Sequence, residues 1–144
     1  PPRSTLFPYT TLFRSGVEPF LVSSTLIGVM AQRLVRVICP GCKTELSPSE
    51  VKLPKAVRFS KSDKMFHGKG CRQCRNSGYR GRIGLYELLP MNEELGEKII
   101  ERVAASELVR IGRANGMRLP SEDGWLKVKG GVTTPGEVMR VTAS

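Results

Sequence analysis

Four cysteines stand out by type and spacing. Cys39 and Cys42 form one Cys-x-x-Cys pair, and Cys71 and Cys74 form another. Two residues between the members of a pair let one tight turn aim both sulfurs at a single point. Zinc takes four ligands at tetrahedral corners, about 2.3 Å from each sulfur, and four thiolates leave no position open for water. The pattern therefore predicts one structural zinc rather than a catalytic one. Gly41 suits a first turn with an unusual backbone, and Asn76-Ser77-Gly78 supplies turn residues after the second pair. The 28 residues between Cys42 and Cys71 exceed the roughly 15–20 of a zinc ribbon, so the spacer is expected to build a loop or hairpin of its own. Disulfides, inert thiols and an iron–sulfur cluster are the other uses of four such side chains. With no secretory signal visible, paired cysteines favour a reducing cytosol and a metal over disulfides. His67, the sole histidine, is read as a spacer residue and not as a replacement ligand.

Other chemistry is hard to find. The 144 residues contain no G-x-x-x-x-G-K-[ST] phosphate loop. His67-Gly68-Lys69-Gly70 is a lone Gly-Lys without the preceding glycine that a phosphate cradle needs. One histidine without partners makes no Ser/His/Asp arrangement. No catalytic residue is assigned, and these residues are not expected to form an enzyme by themselves.

Charge is concentrated around the cysteines. The chain carries +10 overall. Residues 33–82 hold thirteen Lys/Arg against three Asp/Glu, which accounts for the whole excess. Such a stripe can meet nucleic acid, anionic lipid or nucleotide phosphate. It also offsets the formal −2 of a zinc held by four thiolates and helps keep the thiols ionised.

The elements that must position these residues read as follows. Ser23 or Ser24 caps a helix running to about Val37, with Leu26, Ile27, Met30, Leu34 and Val35 at helical spacing. Pro40 and Gly41 stop it. Ser47-Pro48-Ser49-Glu50 starts a short helix in the spacer. Gly81 to Leu89 is a strand, with Ile83, Leu85 and Glu87 on one side and Tyr86 and Leu88 on the other. Asn92 caps a helix to about Arg102, and Ser106 caps one to about Asn115 that Gly116 ends. Ser121 starts a helix to Lys129, closed by Gly130-Gly131. Thr134-Pro135 opens the last one, with Glu137 near its positive end. Phe20 to Ala31, the most apolar stretch, is too short to cross a bilayer. Residues 1–15 include TLFPYTTLFRS, which reads as a translated sequencing adapter. They are expected to be foreign and disordered, and the chain to be a fragment.

Three stretches carry a family resemblance. GVEPFLVSSTLIGVMAQRLVRVICPGC, CRQCRNSGYRGRIGLYELLPM and ANGMRLPSEDGWLKVKGGVTTPGEVMRVT closely resemble the secretion ATPases of type II secretion and type IV pilus assembly. The likeness covers Gly16 to about Thr142. It implies an α/β fold: part of a RecA-like P-loop ATPase core at 16–38, a zinc-binding tetracysteine element at 39–80, and a strand plus C-terminal helical subdomain at 81–144. Family members are hexameric cytoplasmic ATPases docked on the bacterial inner membrane. Their ATP- and magnesium-binding motifs lie upstream of the segment that resembles Gly16 onward.

The resemblance also implies that Arg33, Arg36 and Arg82 approach nucleotide or a neighbouring subunit, a role suited to the planar guanidinium fork. Glu87 is offered as an ion-pair partner for one of them. Expected partners are other subunits, inner-membrane platform proteins and anionic lipid. The GVEPFLVSS opening leans towards secretion. The alternative is a zinc-ribbon nucleic-acid-binding module, with steeply salt-dependent binding. Against it, the spacer offers only Phe59 and Phe66 as a stacking platform.

Overall fold

The computed structural model describes residues 14, 16–54, 57–60 and 62–143. The elements run α1 (Pro19–Thr25), β1 (Gly28–Ile38), β2 (Lys43–Leu46), β3 (Met65–Gly68), β4 (Tyr79–Pro90), α2 (Glu93–Ile100), α3 (Ala105–Ala114), α4 (Pro120–Lys129) and α5 (Pro135–Thr142). Short 3₁₀ turns cover Pro40–Cys42, Pro48–Glu50 and Arg72–Cys74. β1 pairs with β4, and β2 pairs with β3. The architecture is a mixture of helices and short sheets. Most of the segment expected to be foreign, residues 1–13 and 15, lies outside the described residues.

The chain divides into two compact units. The first holds the described residues up to Gln32 together with Tyr86–Leu119. Its core is Val29, Leu89, Leu95, Ile99, Leu108, Val109, Ile111 and Met117, all aliphatic or thioether side chains. α2 starts as its sequence requires: the Asn92 side chain accepts a hydrogen bond from the Leu95 N–H at 2.9 Å. α3 differs from expectation. Ala104, not Ser106, occupies its cap position, and no side chain caps it. Its end is as expected, with Gly116 at φ 90° just past the helix, where a side chain would be strained.

The second unit holds Arg33–Leu85 and the residues from Pro120 onward. Met65, Val128 and Val138 are its buried centre, with Leu46, Leu53, Phe59 and Trp125 packed around them. β2 and β3 form an antiparallel hairpin in which Lys43 faces Gly68 and Leu46 faces Met65. The spacer thus does build its own hairpin. Phe59 meets Trp125 edge to face, centroids 6.0 Å apart, and Asp63 pairs with Lys129 at 2.8 Å. These contacts tie the spacer to α4. Pro48–Glu50 forms a single 3₁₀ turn where a short helix was expected; the Ser47 N–H donates to the Glu50 carboxylate at 2.8 Å.

The clearest departure is β1. The helix expected from Ser23 or Ser24 to Val37 ends at Thr25, and Gly28–Ile38 is a strand. Leu26, Ile27, Met30, Leu34 and Val35 do repeat at helical spacing. The same stretch also carries Gly28 and β-branched Val29, Val35, Val37 and Ile38, which favour an extended chain. β4 supplies the backbone partners that decide between the two. Val29 and Val35 are buried while Met30, Gln32, Leu34 and Arg36 are exposed, an alternation broken only at exposed Arg33 and buried Ile38.

Candidate metal centre and arginine cluster

The two Cys-x-x-Cys pairs sit on matching 3₁₀ turns, Pro40–Cys42 and Arg72–Cys74. Pro40 fixes the first residue of its turn. Gly41 has no positive φ; a Cβ there would lie 2.6 Å from Gln73 Oε1, the movable end of a side chain. The second turn closes with Arg75 and Asn76 at φ 50° and 61°, and Asn tolerates this left-handed region well.

The turns bring all four sulfurs within 4.8 Å of one another. Cys39 Sγ lies 3.8 Å from Cys71 Sγ, Cys42 Sγ 3.8 Å from Cys74 Sγ, and Cys71 Sγ 3.7 Å from Cys74 Sγ. A tetrahedron with bonds of 2.3 Å has edges of about 3.8 Å. The sulfurs therefore already hold the spacing that a tetrahedral ion of zinc's size requires. Cys39 and Cys74 are buried, Cys42 and Cys71 half-buried. The backbone N–H groups of Cys71 and Gly78 donate to Cys74 Sγ at 3.2 and 3.3 Å.

The thiols differ in acidity. Burial raises Cys74, but those two backbone donors outweigh it and bring the thiol down to about 6. Burial pushes Cys42 up to about 12, against a backbone hydrogen bond from Gly70 and with help from the neighbouring thiols. A bound cation would hold the sulfurs as thiolates. His67 stays outside the cluster. Its partner across the hairpin is Thr44.

Two glycines lock the element. Gly78 has φ 77°, and its carbonyl accepts the Cys39 N–H at 2.9 Å. Gly68, at the end of β3, lies directly against it. A Cβ on Gly68 would run into the Gly78 carbonyl and come within 2.6 Å of its Cα. Gly68→Ala is expected to cost about 1–3 kcal/mol, the usual range for forced overpacking, read as a lower urea midpoint. Gly136→Ala, at an exposed position in α5, is the control and should be neutral or slightly stabilising. Equal midpoints for the two variants would refute the close contact.

A second cluster lies on the same unit. Arg36, Arg82 and Arg140, with Leu34, line an open cavity of about 430 Å³. Arg36 stacks over the Tyr79 ring, 4.1 Å from its centroid, and the Tyr79 hydroxyl meets Thr134 Oγ1 at 2.9 Å. The carboxylate that Arg36 meets is Glu137 and not Glu87. Arg33, three residues away on the strand, lies on the other side of the pleat and does not line the cavity. Of the arginines named from the resemblance, Arg36 and Arg82 line the cavity; Arg140 and Tyr79 were not named. It read Glu137 only as a helix-end charge. The i, i+3 spacing of Glu137 and Arg140 was a usable signal for that pair.

Both spacer aromatics are occupied. Phe59 packs on Trp125, and Phe66 carries the Lys43 ammonium 4.4 Å above its ring. That leaves neither free for base stacking and weakens the nucleic-acid reading. Among the described residues no helix is long and apolar enough to cross a membrane.

The comparisons with known proteins show the family to which this arrangement belongs. The family model described as "Type II/IV secretion system protein" matches residues 8–140. The chain is 39% identical over 137 residues to the type IV pilus assembly ATPase PilB of Thermus thermophilus. It is 40% identical over 134 residues to the type II secretion system protein E of Pseudomonas aeruginosa. It is 41% identical over 139 residues to the type II secretion system ATPase E of Vibrio cholerae. Each match covers 92% of this chain but only 15%, 26% and 26% of the relative. The chain belongs to the type II/IV secretion system protein family.

Proposed function

We propose that this chain is part of a hexameric ATPase that powers type II protein secretion or type IV pilus assembly, and that its four cysteines hold a structural zinc. The observation that carries the role is the match across 92% of the chain to relatives named as a type IV pilus assembly ATPase and a type II secretion system ATPase. The zinc rests on sulfur spacings of 3.7–3.8 Å. In this reading residues 16–38 close the RecA-like core, 39–80 form the zinc element, and 81–144 form a strand with the C-terminal helical subdomain. Zinc supplies no reaction chemistry here; it fixes the two turns. Arg36 and Arg82 approach nucleotide or a neighbouring subunit from the cavity side of β1, and Arg33 does so from the opposite side. ATP and magnesium bind elsewhere in the longer protein, which works in the cytoplasm at the inner membrane, against platform proteins and anionic lipid.

The test compares this chain with the full-length protein that contains it. The chain should carry about one zinc and hydrolyse no ATP, while the full-length protein should carry the same zinc and hydrolyse ATP. Complementing a secretion-deficient and a pilus-deficient strain then separates the two systems. A zinc-free native protein would remove the metal reading. A full-length protein without ATPase activity that rescues neither strain would remove the motor.

A further inference from the structure

The carboxylate of Glu137 is only 2% exposed, yet it sits between two guanidinium groups. It accepts from the Arg36 backbone N–H at 2.8 Å and from Arg36 Nη2 at 2.8 Å. It also accepts from Arg140 Nε and Nη2 at 3.0 and 2.9 Å, a two-point fork. Thr134 holds the turn beneath it by capping the Glu137 N–H at 3.3 Å. Arg36 and Arg140 keep 48% and 56% of their side chains exposed. Each is therefore gripped on one edge by Glu137 and open on the other. Arg82 lines the same cavity, and among the described residues it has no ion pair. Three cations and one carboxylate leave the cavity at +2.

We infer that Glu137 is a positioning residue: it sets Arg36 and Arg140 around the cavity they share with Arg82, making a clamp for a phosphate-type oxyanion. The free guanidinium edges present planar pairs of N–H donors, the geometry that phosphate oxygens accept in two places. Arg36 is further fixed by stacking on Tyr79, so little side-chain freedom remains to be lost on binding. The inference adds Glu137 and Arg140 to the assignment of Arg36 and Arg82. It rests on that assignment only for the biological source of the oxyanion.

The sign of one substitution separates positioning from plain charge. Glu137→Gln makes the cavity more positive by one unit. Coulomb attraction alone would then tighten anion binding. Loss of positioning would weaken it, because an amide offers one acceptor oxygen where the carboxylate holds two guanidinium groups.

Calorimetric titration of this chain with sodium pyrophosphate reads the difference. Arg82→Ala should weaken binding about tenfold with no change in melting temperature. Glu137→Gln should weaken it at least fivefold at a temperature where the chain stays folded. If Glu137→Gln does not fold, Arg140→Lys serves instead: it keeps the charge but loses the fork, and should weaken binding about fivefold. Unchanged or tighter binding in the folded Glu137 variant, or in Arg140→Lys when that variant substitutes for it, overturns the inference. So does wild-type protein that binds no pyrophosphate. Parallel titrations with inorganic phosphate, ATP and phosphatidylglycerol vesicles identify the source by which one loses affinity in Arg82→Ala. Pyrophosphate binding without any ATP response would keep the clamp and remove the nucleotide assignment.

Discussion

Cys74→Ser is expected to release the metal and melt the tetracysteine element while leaving the Leu95–Leu108 core folded. Cys74 is buried, its sulfur touches those of Cys42 and Cys71, and it accepts two backbone N–H groups. A serine oxygen is shorter and harder than sulfur, so it cannot complete a four-sulfur shell. Zinc content should fall from about one per chain to a small fraction of that. Structural zinc contributes on the order of 10 kcal/mol in peptides that have no other core. Here Met65, Val128 and Val138 provide a core of their own, so only part of that should be lost. A loss of several kcal/mol lowers the melting temperature by roughly 10 °C or more for a chain of this size.

Hydrogen exchange shows where the damage falls. Amides of β2, β3 and the two cysteine turns should lose protection, and those of α2 and α3 should not. A strong chelator added to wild-type protein should reproduce both the shift and the pattern. A Cys74→Ser chain with wild-type melting and exchange would show that the four sulfurs are merely close together.

How much of this was legible beforehand follows from how far apart the deciding residues lie. The clustering of the four cysteines was readable because each half is local: a Cys-x-x-Cys turn needs only four consecutive residues. The caps at Asn92 and Thr134 were readable for the same reason, each bonding three residues ahead. β1 was not, because its partner strand begins some forty residues later at Tyr79. That single error carried into the site. Residues three apart share a helix face but sit on opposite faces of a strand. Arg33 and Arg36 were grouped by the family resemblance, a grouping that a helix would allow, and the strand separates them. The carboxylate that Arg36 meets is 101 positions away, beyond any periodicity argument. Arg140 reaches the cavity from the last helix, where it is held by the same carboxylate.

Neutralising Glu137 should remove about 2–3 kcal/mol of stability, and acid should do the same without mutation. Burial by itself would raise this carboxyl. Hydrogen bonds from Arg140 and Arg36 outweigh it and bring the group from its ordinary 4.5 down to about 2. A shift of that size corresponds to about 3 kcal/mol. Both arginines are half exposed, so water and salt screen part of it, and the lower range is the better expectation. The folded pKa is depressed, so the group contributes fully above the unfolded value near 4.5 and loses its contribution as pH falls towards about 2. Urea midpoints of wild-type protein should therefore drop between those limits, and Glu137→Gln should drop less over the same window because it has no carboxyl to protonate. Midpoints for the two proteins should converge near pH 2 and differ most above pH 5. Adding 1 M salt at pH 7 should narrow the difference only slightly, since the carboxylate is buried and the Debye length of about 3 Å acts mainly on the exposed guanidinium edges. Parallel pH curves for wild type and Glu137→Gln would mean that the strand and the last helix are held together by apolar packing alone. In that case Arg36 would need no carboxylate to keep its place over Tyr79.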